Sequence, residues 1–427
     1  MREIKVGILG FGTVGSGTVR ILQENSEAIS ARIGARVVVA RVAVRDLAKP
    51  RDVALAASAL TTDPRDVTDD PEIEIVAELI GGVEPARSLV ERAIANGKNI
   101  VTANKEMVAK VGHDLRTAAQ AAGKDFFMEA SVAGGIPIIA TLGESLAGNQ
   151  VREIAGIVNG TTNYILTRMT EEGAAFEKVL AEAQALGYAE AEPSSDVDGH
   201  DARYKMAILA SLAFGTRIDV EDVAVEGIRH ISPRDIVVAK ELGYRIKLLA
   251  TAQGLPNGIR VRVNPALLPL KHPLATVDGV FNGVFVRGDA VGDLTLIGRG
   301  AGSLPTGSAV VGDIVHCARN IVAGATGRVP YTASRDLPML PSASAWSKFY
   351  ARVRVLDRPK ALAAIATIFG DHDVSIESVI QRAMPDEEAE IVWVTHEVRE
   401  QDVRAALSAI HALPVVRSVD TALRVVE

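Results

Sequence analysis

The segment Ile4-Lys-Val-Gly-Ile-Leu9 is apolar and β-rich. It runs straight into Gly10-Phe-Gly12-Thr-Val-Gly15 and then into Ser16-Gly-Thr-Val-Arg-Ile-Leu22, whose apolar residues have helical spacing. This is strand, glycine turn, helix. In that context the first glycine permits a tight turn, the second lets the backbone approach a pyrophosphate, and the third allows the helix to pack closely on the strand. The helix N-terminus then faces the anion. Gly10, Gly12, Thr13, Val14 and Gly15 are therefore the expected cofactor-binding residues. Further strands are predicted at Val37–Val44, Ile73–Leu79 and Asn99–Val101, with Ala/Leu/Arg-rich helical segments between them. Such alternation predicts a parallel sheet covered on both faces, an α/β domain of Rossmann type. The second strand ends Val42-Ala-Val-Arg45-Asp46, with Lys49 nearby. An acid at that tip hydrogen-bonds the ribose 2′-hydroxyl of NAD, whereas an arginine accommodates the 2′-phosphate of NADP. Arg45 favours NADP over NAD, and a frame shift of one residue, to Asp46, reverses the inference.

A chain of 427 residues exceeds one core of ordinary size, so two or three domains are expected. The formal net charge is -7, with Lys and Arg scattered among Asp and Glu, which leaves no basic stripe for nucleic acid. The N-terminus enters its first strand at once, and no apolar run reaches the roughly 20 residues of a membrane span. Cys317 is the single cysteine, so no internal disulfide can form, and no Cys/His cluster has zinc-ligand spacing. The expectation is a cytoplasmic protein with no nucleic-acid or membrane partner. No internal repeat or low-complexity tract is present. The character changes near Phe126, where Glu129-Ala-Ser-Val-Ala-Gly-Gly-Ile-Pro137 reads as a glycine-rich turn. The segment Gly298–Gly307 reads as loop, Ser308–Val322 as helix, and Asp336–Ser347 as a polar linker to a compact tail.

Two stretches carry candidate chemistry. Thr102-Ala-Asn-Lys105 follows the short strand Ile100-Val101, so it falls at the carboxyl end of the sheet, where ligands sit in doubly wound folds. The second stretch is Glu192-Pro-Ser-Ser-Asp196-Val-Asp198-Gly-His200-Asp201-Ala-Arg-Tyr-Lys205, directly before an apolar run. If Asp198 caps a helix that Gly215 ends, successive residues turn by about 100°. Asp201, Lys205, Ile208 and Leu212 then share a stripe roughly 60° wide. A surface ion pair at i,i+4 would have polar neighbours along that stripe, and Ile208 and Leu212 are not polar. A lysine beside an apolar wall loses hydration and becomes an easier proton donor, while a nearby carboxylate orients it. His200 points about 100° away from Lys205 and reads as incidental.

Together these residues carry a resemblance. Val158-Asn-Gly-Thr-Thr-Asn-Tyr-Ile-Leu166, Gly187-Tyr-Ala-Glu190, Asp196-Val-Asp-Gly-His-Asp201 and Lys205 resemble the signature block of homoserine dehydrogenase, and Thr102–Lys105 and Glu129–Pro137 match its other two motifs in order. The tail, Leu356-Asp-Arg-Pro-Lys-Ala-Leu362 with Val374-Ser-Ile-Glu-Ser-Val-Ile380, is similar to an ACT domain. The resemblance implies reversible NAD(P)H-dependent reduction of L-aspartate 4-semialdehyde to L-homoserine, on the way to threonine and methionine. It implies a cofactor domain at 1–130 plus about 305–335, an α+β catalytic and oligomerisation domain at 131–304, and a ferredoxin-like ACT domain at 349–427. Lys105 and Lys205 then take the catalytic roles with Asp201. Glu190, Asp196, Gly160 and Thr161 bind substrate together with Lys105, which also touches cofactor, and Thr162 is suited to the substrate carboxylate or the cofactor. Backbone oxygens of Glu129, Val132, Gly134 and Ile136 would hold a monovalent cation such as sodium. The assembly implied is a homo-oligomer, dimer or tetramer.

The ACT turn of the family usually has glycine where this chain has Lys360, so weak or absent threonine inhibition is expected. A small, self-contained tail would serve mainly assembly, and its removal after about Ala345 would leave catalysis largely intact. Two rival readings are another NAD(P)-dependent reductase of an amino-acid carbonyl, which would not need the Asn159–Lys205 block, and a catalytically silent amino-acid sensor, which would not need both lysines.

Overall fold

The structure is a computed structural model that describes residues 1–328, 333 and 335–426; residues 329–332 and 334, at the end of the expected cofactor segment, and residue 427 lie outside the described residues. The chain divides into two compact units. Unit 1 comprises Met1–Ile154, Tyr204–Val223 and Phe281–Leu337, and unit 2 comprises Ala155–Arg203, Ala224–Val280 and Pro338–Glu427. Among the described residues, no helix is long and apolar enough to cross a membrane.

Unit 1 is built on a six-stranded sheet: β1 (Glu3–Leu9), β2 (Arg36–Ala43), β3 (Leu60–Thr61), β4 (Ile73–Glu78), β5 (Asn99–Thr102) and β6 (Phe126–Phe127). Their order is β3-β2-β1-β4-β5-β6, and every pairing is parallel. This is the doubly wound order expected from strands buried on both faces, and it reverses direction beside β1, where the glycine turn lies. The long helix Ser303–Ala323 returns to this sheet and lays Val310, Val311, Ile314 and Cys317 into the core of Ile4, Val6, Ile8 and Val19. It begins five residues earlier than expected from Ser308. Gly302 (φ 125°) turns the chain into it, and Pro305 is tolerated because the first turn needs no N–H from it.

Unit 2 carries mixed-sheet strands in the order Tyr244–Leu255, Gly258–Pro269, Val416–Val425, Trp346–Leu356, Glu388–Thr395, Ile376–Met384. The last four strands, with helices Ala361–Asp371 and Glu400–His411, form the tail around Phe349, Ile365, Phe369 and Trp393. The tail is not detached. Its final strand pairs in parallel with Gly258–Pro269, Ala266 opposite Arg424 and Leu267 opposite Val425, and Val426 N–H donates to the Leu267 carbonyl at 2.8 Å. Arg352, 6 % exposed, donates Nε to Asp235 Oδ1 at 2.8 Å in the helix Pro233–Glu241. The expectation of a self-contained tail is thus corrected: one sheet and a buried ion pair join it to the rest of unit 2.

The helix of the acidic block, by contrast, begins later than expected. It runs His200–Phe214, and Gly215 (φ 63°) ends it as anticipated. Asp198 does not cap it. That residue closes the short helix Ser194–Val197 and pairs with Arg229 at 2.6 Å, and Gly199 (φ 87°) separates the two helices.

Candidate active site

The three fingerprint glycines of unit 1 each answer a different steric demand. Gly10 has φ 102°, and a Cβ there would stand 2.6 Å from the Leu79 carbonyl oxygen. At Gly15 a Cβ would stand 2.4 Å from the Gly10 carbonyl oxygen, so the helix Thr13–Glu24 could not lie so close to β1. At Gly12 a Cβ would meet nothing within 4 Å. The fold does not need glycine at position 12, whereas a pyrophosphate lying against that backbone would. The first turn of the helix carries no acidic residue, as an anion site requires. The loop 300–303 closes on the same place: Ser303 Oγ donates to the Thr13 carbonyl at 2.9 Å, and a Cβ at Gly17 would collide with the Ser303 carbonyl oxygen at 2.1 Å.

At the end of β2, Arg45 is exposed. Asp46 accepts the Ala48 N–H at 2.8 Å, which commits that carboxylate to a turn. Arg51 closes the turn by donating to the Asp46 and Lys49 carbonyls at 2.5 and 2.8 Å, and its guanidinium lies 5.6 Å from the Phe11 ring centroid, over the glycine loop.

Lys105 is the first residue of the helix Lys105–Ala121, directly after β5. Asn104 caps that helix by accepting the Met107 N–H at 3.1 Å. A buried carboxylate, Glu78, holds the approach: it accepts Thr102 Oγ1 at 2.6 Å and the Ile80 N–H at 2.8 Å. Asn104 Nδ2 donates to the Gly82 carbonyl at 2.6 Å. Lys205 belongs to the same unit. The part of the His200–Phe214 helix that follows it, Ala207, Ile208, Ser211 and Leu212, lines a cleft with Val108, Gly112 and Arg116 of the Lys105–Ala121 helix. Beside Lys205, the Tyr204 ring centroid is 5.4 Å from Lys110 Nζ. The apolar stripe anticipated at Ile208 and Leu212 therefore faces the helix that starts at Lys105.

The carboxylates of the block gather in unit 2 on one amide. Asn159 is the N-cap of the helix Gly160–Glu172; its Oδ1 accepts the Thr162 N–H at 2.9 Å. Its Nδ2 donates to Asp196 Oδ1 at 2.7 Å and to Asp201 Oδ2 at 2.9 Å. Two carboxylates are thus held at a positive helix end, where the peptide dipoles favour negative charge. Asp201 is 2 % exposed. Thr161 Oγ1 donates to the Tyr188 carbonyl at 2.7 Å, which ties the helix to Gly187-Tyr-Ala-Glu190. Glu190 itself is exposed, and its carbonyl accepts Gln184 Nε2 at 3.0 Å. His200 is exposed.

The loop Glu129–Ile136 lies in unit 1. Ala133 and Gly134 both have positive φ, 54° and 55°, and a Cβ at Gly134 would stand 2.4 Å from the Gly300 carbonyl oxygen. Carboxyls clamp the ends of the loop. Asp313 accepts the Glu129 N–H at 2.8 Å, and the Glu129 side chain accepts the Ile139 and Ala140 N–H groups at 2.7 Å each. Burial, and then the neighbouring Glu129 charge, push the Asp313 carboxyl well above the ordinary aspartate range. Among the described residues no group of three or more His, Cys, Asp or Glu side chains is arranged to hold a metal.

Glu78, Asn159 in its bridging role, Arg51 and Asp313 escaped the sequence reading. Glu78 is a charge at the end of an apolar strand, and Glu78, Asn159 and Asp313 each have a partner 24 or more residues along the chain.

A sheet whose first turn is open to a pyrophosphate, and whose next ligand-facing loop ends in a lysine, defines a nicotinamide-dependent oxidoreductase. Three family models match: the homoserine dehydrogenase NAD-binding domain over residues 10–129, homoserine dehydrogenase over 137–315, and the ACT domain over 349–415. A homoserine dehydrogenase from Synechocystis sp. is 48 % identical over 431 residues, covering 99 % of both chains. The crystal structure of a homoserine dehydrogenase from Thiobacillus denitrificans superposes with a TM-score of 0.94 at 48 % identity, covering 100 % of this chain and 99 % of that one. A hyperthermophilic archaeal homoserine dehydrogenase in complex with NADPH gives a TM-score of 0.63 at 28 % identity over 74 % of this chain and 97 % of its own. The chain belongs to the homoserine dehydrogenase family. Its activity is the NAD(P)-dependent interconversion of L-aspartate 4-semialdehyde and L-homoserine, in threonine and methionine biosynthesis.

Proposed function

We propose the following division of labour. Lys205 gives a proton to the aldehyde oxygen as hydride reaches the carbon, and takes the hydroxyl proton in the reverse direction. Lys105 supplies the second cation, stabilising negative charge on the reacting oxygen and meeting the nicotinamide end of the cofactor. Asp201 orients Lys205 from one helical turn away. Glu190 and Asp196 take the substrate ammonium, and Gly160 and Thr161, at a helix N-terminus, receive its carboxylate. The nicotinamide, when bound, supplies the hydride acceptor or donor, and the protein supplies orientation and charge. The observation that carries this reading is the convergence of Asp196 and Asp201 on Asn159 Nδ2, at 2.7 and 2.9 Å. That one amide ties Asp196, the carboxylate for the substrate ammonium, to Asp201, the carboxylate that orients Lys205.

The cofactor is NADP in preference to NAD. The exposed Arg45 and the commitment of Asp46 to its own turn support this, because a 2′-phosphate needs a cation and a 2′-hydroxyl needs a free acid. A monovalent cation such as sodium on the carbonyls of Glu129, Val132, Gly134 and Ile136 would hold the loop beside Gly300. The exposed apolar residues Phe281, Val291 and Ile297 on one hairpin support a homo-oligomer.

The test is Lys205→Ala, which should lower kcat for homoserine oxidation by at least about a hundredfold while leaving NADP affinity by calorimetry within about twofold. His200→Ala should cost far less. An unchanged turnover number in folded Lys205→Ala would remove Lys205 from the mechanism.

A further inference from the structure

Unit 2 buries a lysine that this chemistry does not use. Lys247 lies in the strand Tyr244–Leu255, between Ile246 and Leu248, and is 1 % exposed. Its ammonium donates to three acceptors: Asn163 Oδ1 at 2.9 Å, the Val277 carbonyl at 2.6 Å and Asp278 Oδ1 at 3.0 Å. A leucine would fill that space without the cost of burying a charge, so packing alone does not account for lysine here.

Its acceptors lead to the site. Asn159, Asn163 and Thr167 are spaced by four and share one face of the Gly160–Glu172 helix, beginning at its cap. Asn159 holds the Asp196 and Asp201 carboxylates. Asn163 Nδ2 donates to the Val277 and Gly279 carbonyls, both at 3.0 Å. Thr167 Oγ1 donates to the Asn163 carbonyl at 2.7 Å and accepts the Gly279 N–H at 3.1 Å. At the other end of the loop, Val280 backs onto Gly160, where a Cβ would stand 3.0 Å from the Val280 carbonyl oxygen. The 277–280 loop therefore runs along the helix from Thr167 to Gly160, and Lys247 sits where helix, loop and strand meet.

We propose that Lys247 is a positioning residue for the amino-acid substrate: by holding Asn163 and the 277–280 loop, it fixes the helix on which Asn159 sets the Asp196 and Asp201 carboxylates and Gly160 and Thr161 face the ligand. The proposal rests on the substrate-site reading above. It touches no reacting atom and no cofactor, so its signature is substrate recognition alone. The titratable groups around Lys247 give a second signature. Burial lowers its pKa to about 8, Asp278 and Glu171 work in the opposite sense, and Arg245, itself paired with Asp278 at 2.8 Å, adds to the lowering. A neutral amine has two N–H donors for three acceptors. Above that pH the hold on Asn163 and the loop weakens.

The test is steady-state homoserine oxidation by full-length Lys247→Met, with folding checked by its thermal transition. The homoserine KM should rise about tenfold or more, because small misplacements of binding groups are costly, while the NADP KM stays within about twofold. The wild-type homoserine KM should climb across pH 8 more steeply than that of the variant. An unchanged homoserine KM, or equal rises in both KM values, overturns the proposal. Should Lys247→Met fail to fold, Asn163→Ala, which removes one acceptor and strands no charge, should give the same split at smaller size; no split there is equally fatal. Asp196→Asn separates the two readings. If it leaves homoserine kinetics untouched, the substrate site is misassigned; if it impairs them while the Lys247 and Asn163 variants do not, only this inference falls.

Discussion

Arg352→Met tests how the tail is held. Arg352 gives Nε to Asp235 at 2.8 Å, Nη1 to Asp420 at 2.7 Å and Nη2 to Ser232 Oγ at 3.3 Å, with Glu390 3.5 Å away. The loss is uneven. Glu390 keeps Arg234 at 2.5 Å, and Asp420 keeps Arg354 at 3.0 Å. Asp235 is 0 % exposed, and its Oδ2 keeps Ser232, but its Oδ1 has only Arg352 among the described contacts. The damage is thus one buried carboxylate stripped of its cation, about 3 kcal/mol, the lower end of the range for breaking a buried pair. Arg352→Met with Asp235→Asn removes the stranded charge and keeps an acceptor for Ser232, so it should recover roughly 2 kcal/mol of that loss. Both tryptophans lie in the tail, Trp393 at 1 % exposure and Trp346 at 59 %, so the emission of Trp393 during urea unfolding reads this region. Although burial pushes Asp235 up, the Arg352 and Ser232 hydrogen bonds outweigh it and leave the carboxyl below its ordinary value; for Glu390, also pushed up by burial, the Arg234 hydrogen bond and charge do the same. Carboxylates lowered in the folded state stabilise it above the unfolded pKa and lose that effect as pH falls through the folded one. The wild-type urea midpoint should therefore drop on acidification below about pH 4, and less so in the double variant. A single variant with an unchanged midpoint, or a double variant no better than the single, would refute this reasoning.

The fingerprint glycines should separate fold from ligand. Gly12→Val should fold normally and lose NADP binding by calorimetry, whereas Gly15→Val, whose side chain meets the Gly10 carbonyl at 2.4 Å, should lower the melting temperature; equal thermal loss in both would contradict the assignment. Truncation after Ala345 should yield aggregated or strongly destabilised protein on size exclusion, because it unpairs Ala266 and Leu267 and strands Asp235; a soluble, fully active truncation would overturn the joined-tail description. Low-millimolar threonine should leave turnover nearly unchanged, since Lys360 occupies a left-handed position (φ 77°) at the start of the tail's first helix, where glycine would leave the backbone open to an effector; strong inhibition would show a working sensor.

The glycine turn was legible because Gly10 and Gly15 answer local backbone demands, and local demands leave local patterns. The same holds for the lysine that opens a helix after β5 and for the Ile208 and Leu212 stripe. What escaped was long-range. Asn159 is in a motif, but its partners lie 37 and 42 residues on, and no periodicity links them. Asp198 looked like a cap because acids cap helices, yet Arg229, 31 residues later, takes its carboxylate, and Gly199 turns the chain before the helix begins. The tail looked separable because its own strands and helices fill its own core. Nothing in residues 346–426 announces that their last strand will pair with Ala266 and Leu267, or that Arg352 will reach Asp235. Lys247 was invisible for a related reason: a lysine inside Tyr-Arg-Ile-Lys-Leu-Leu reads as the exposed member of an alternating strand until Asn163 and the 277–280 loop cover it.

Hydride passes between homoserine and NADP on this chain, with Lys205 proposed to handle the proton. The most direct measurement incubates the protein with homoserine deuterated at its hydroxyl-bearing carbon, supplying NADP or NAD in turn, and examines the reduced cofactor by mass spectrometry. The expected product is reduced cofactor carrying deuterium, formed faster from NADP than from NAD and nearly abolished in Lys205→Ala. Reduced cofactor without deuterium, or none formed by folded wild-type protein, would contradict that transfer.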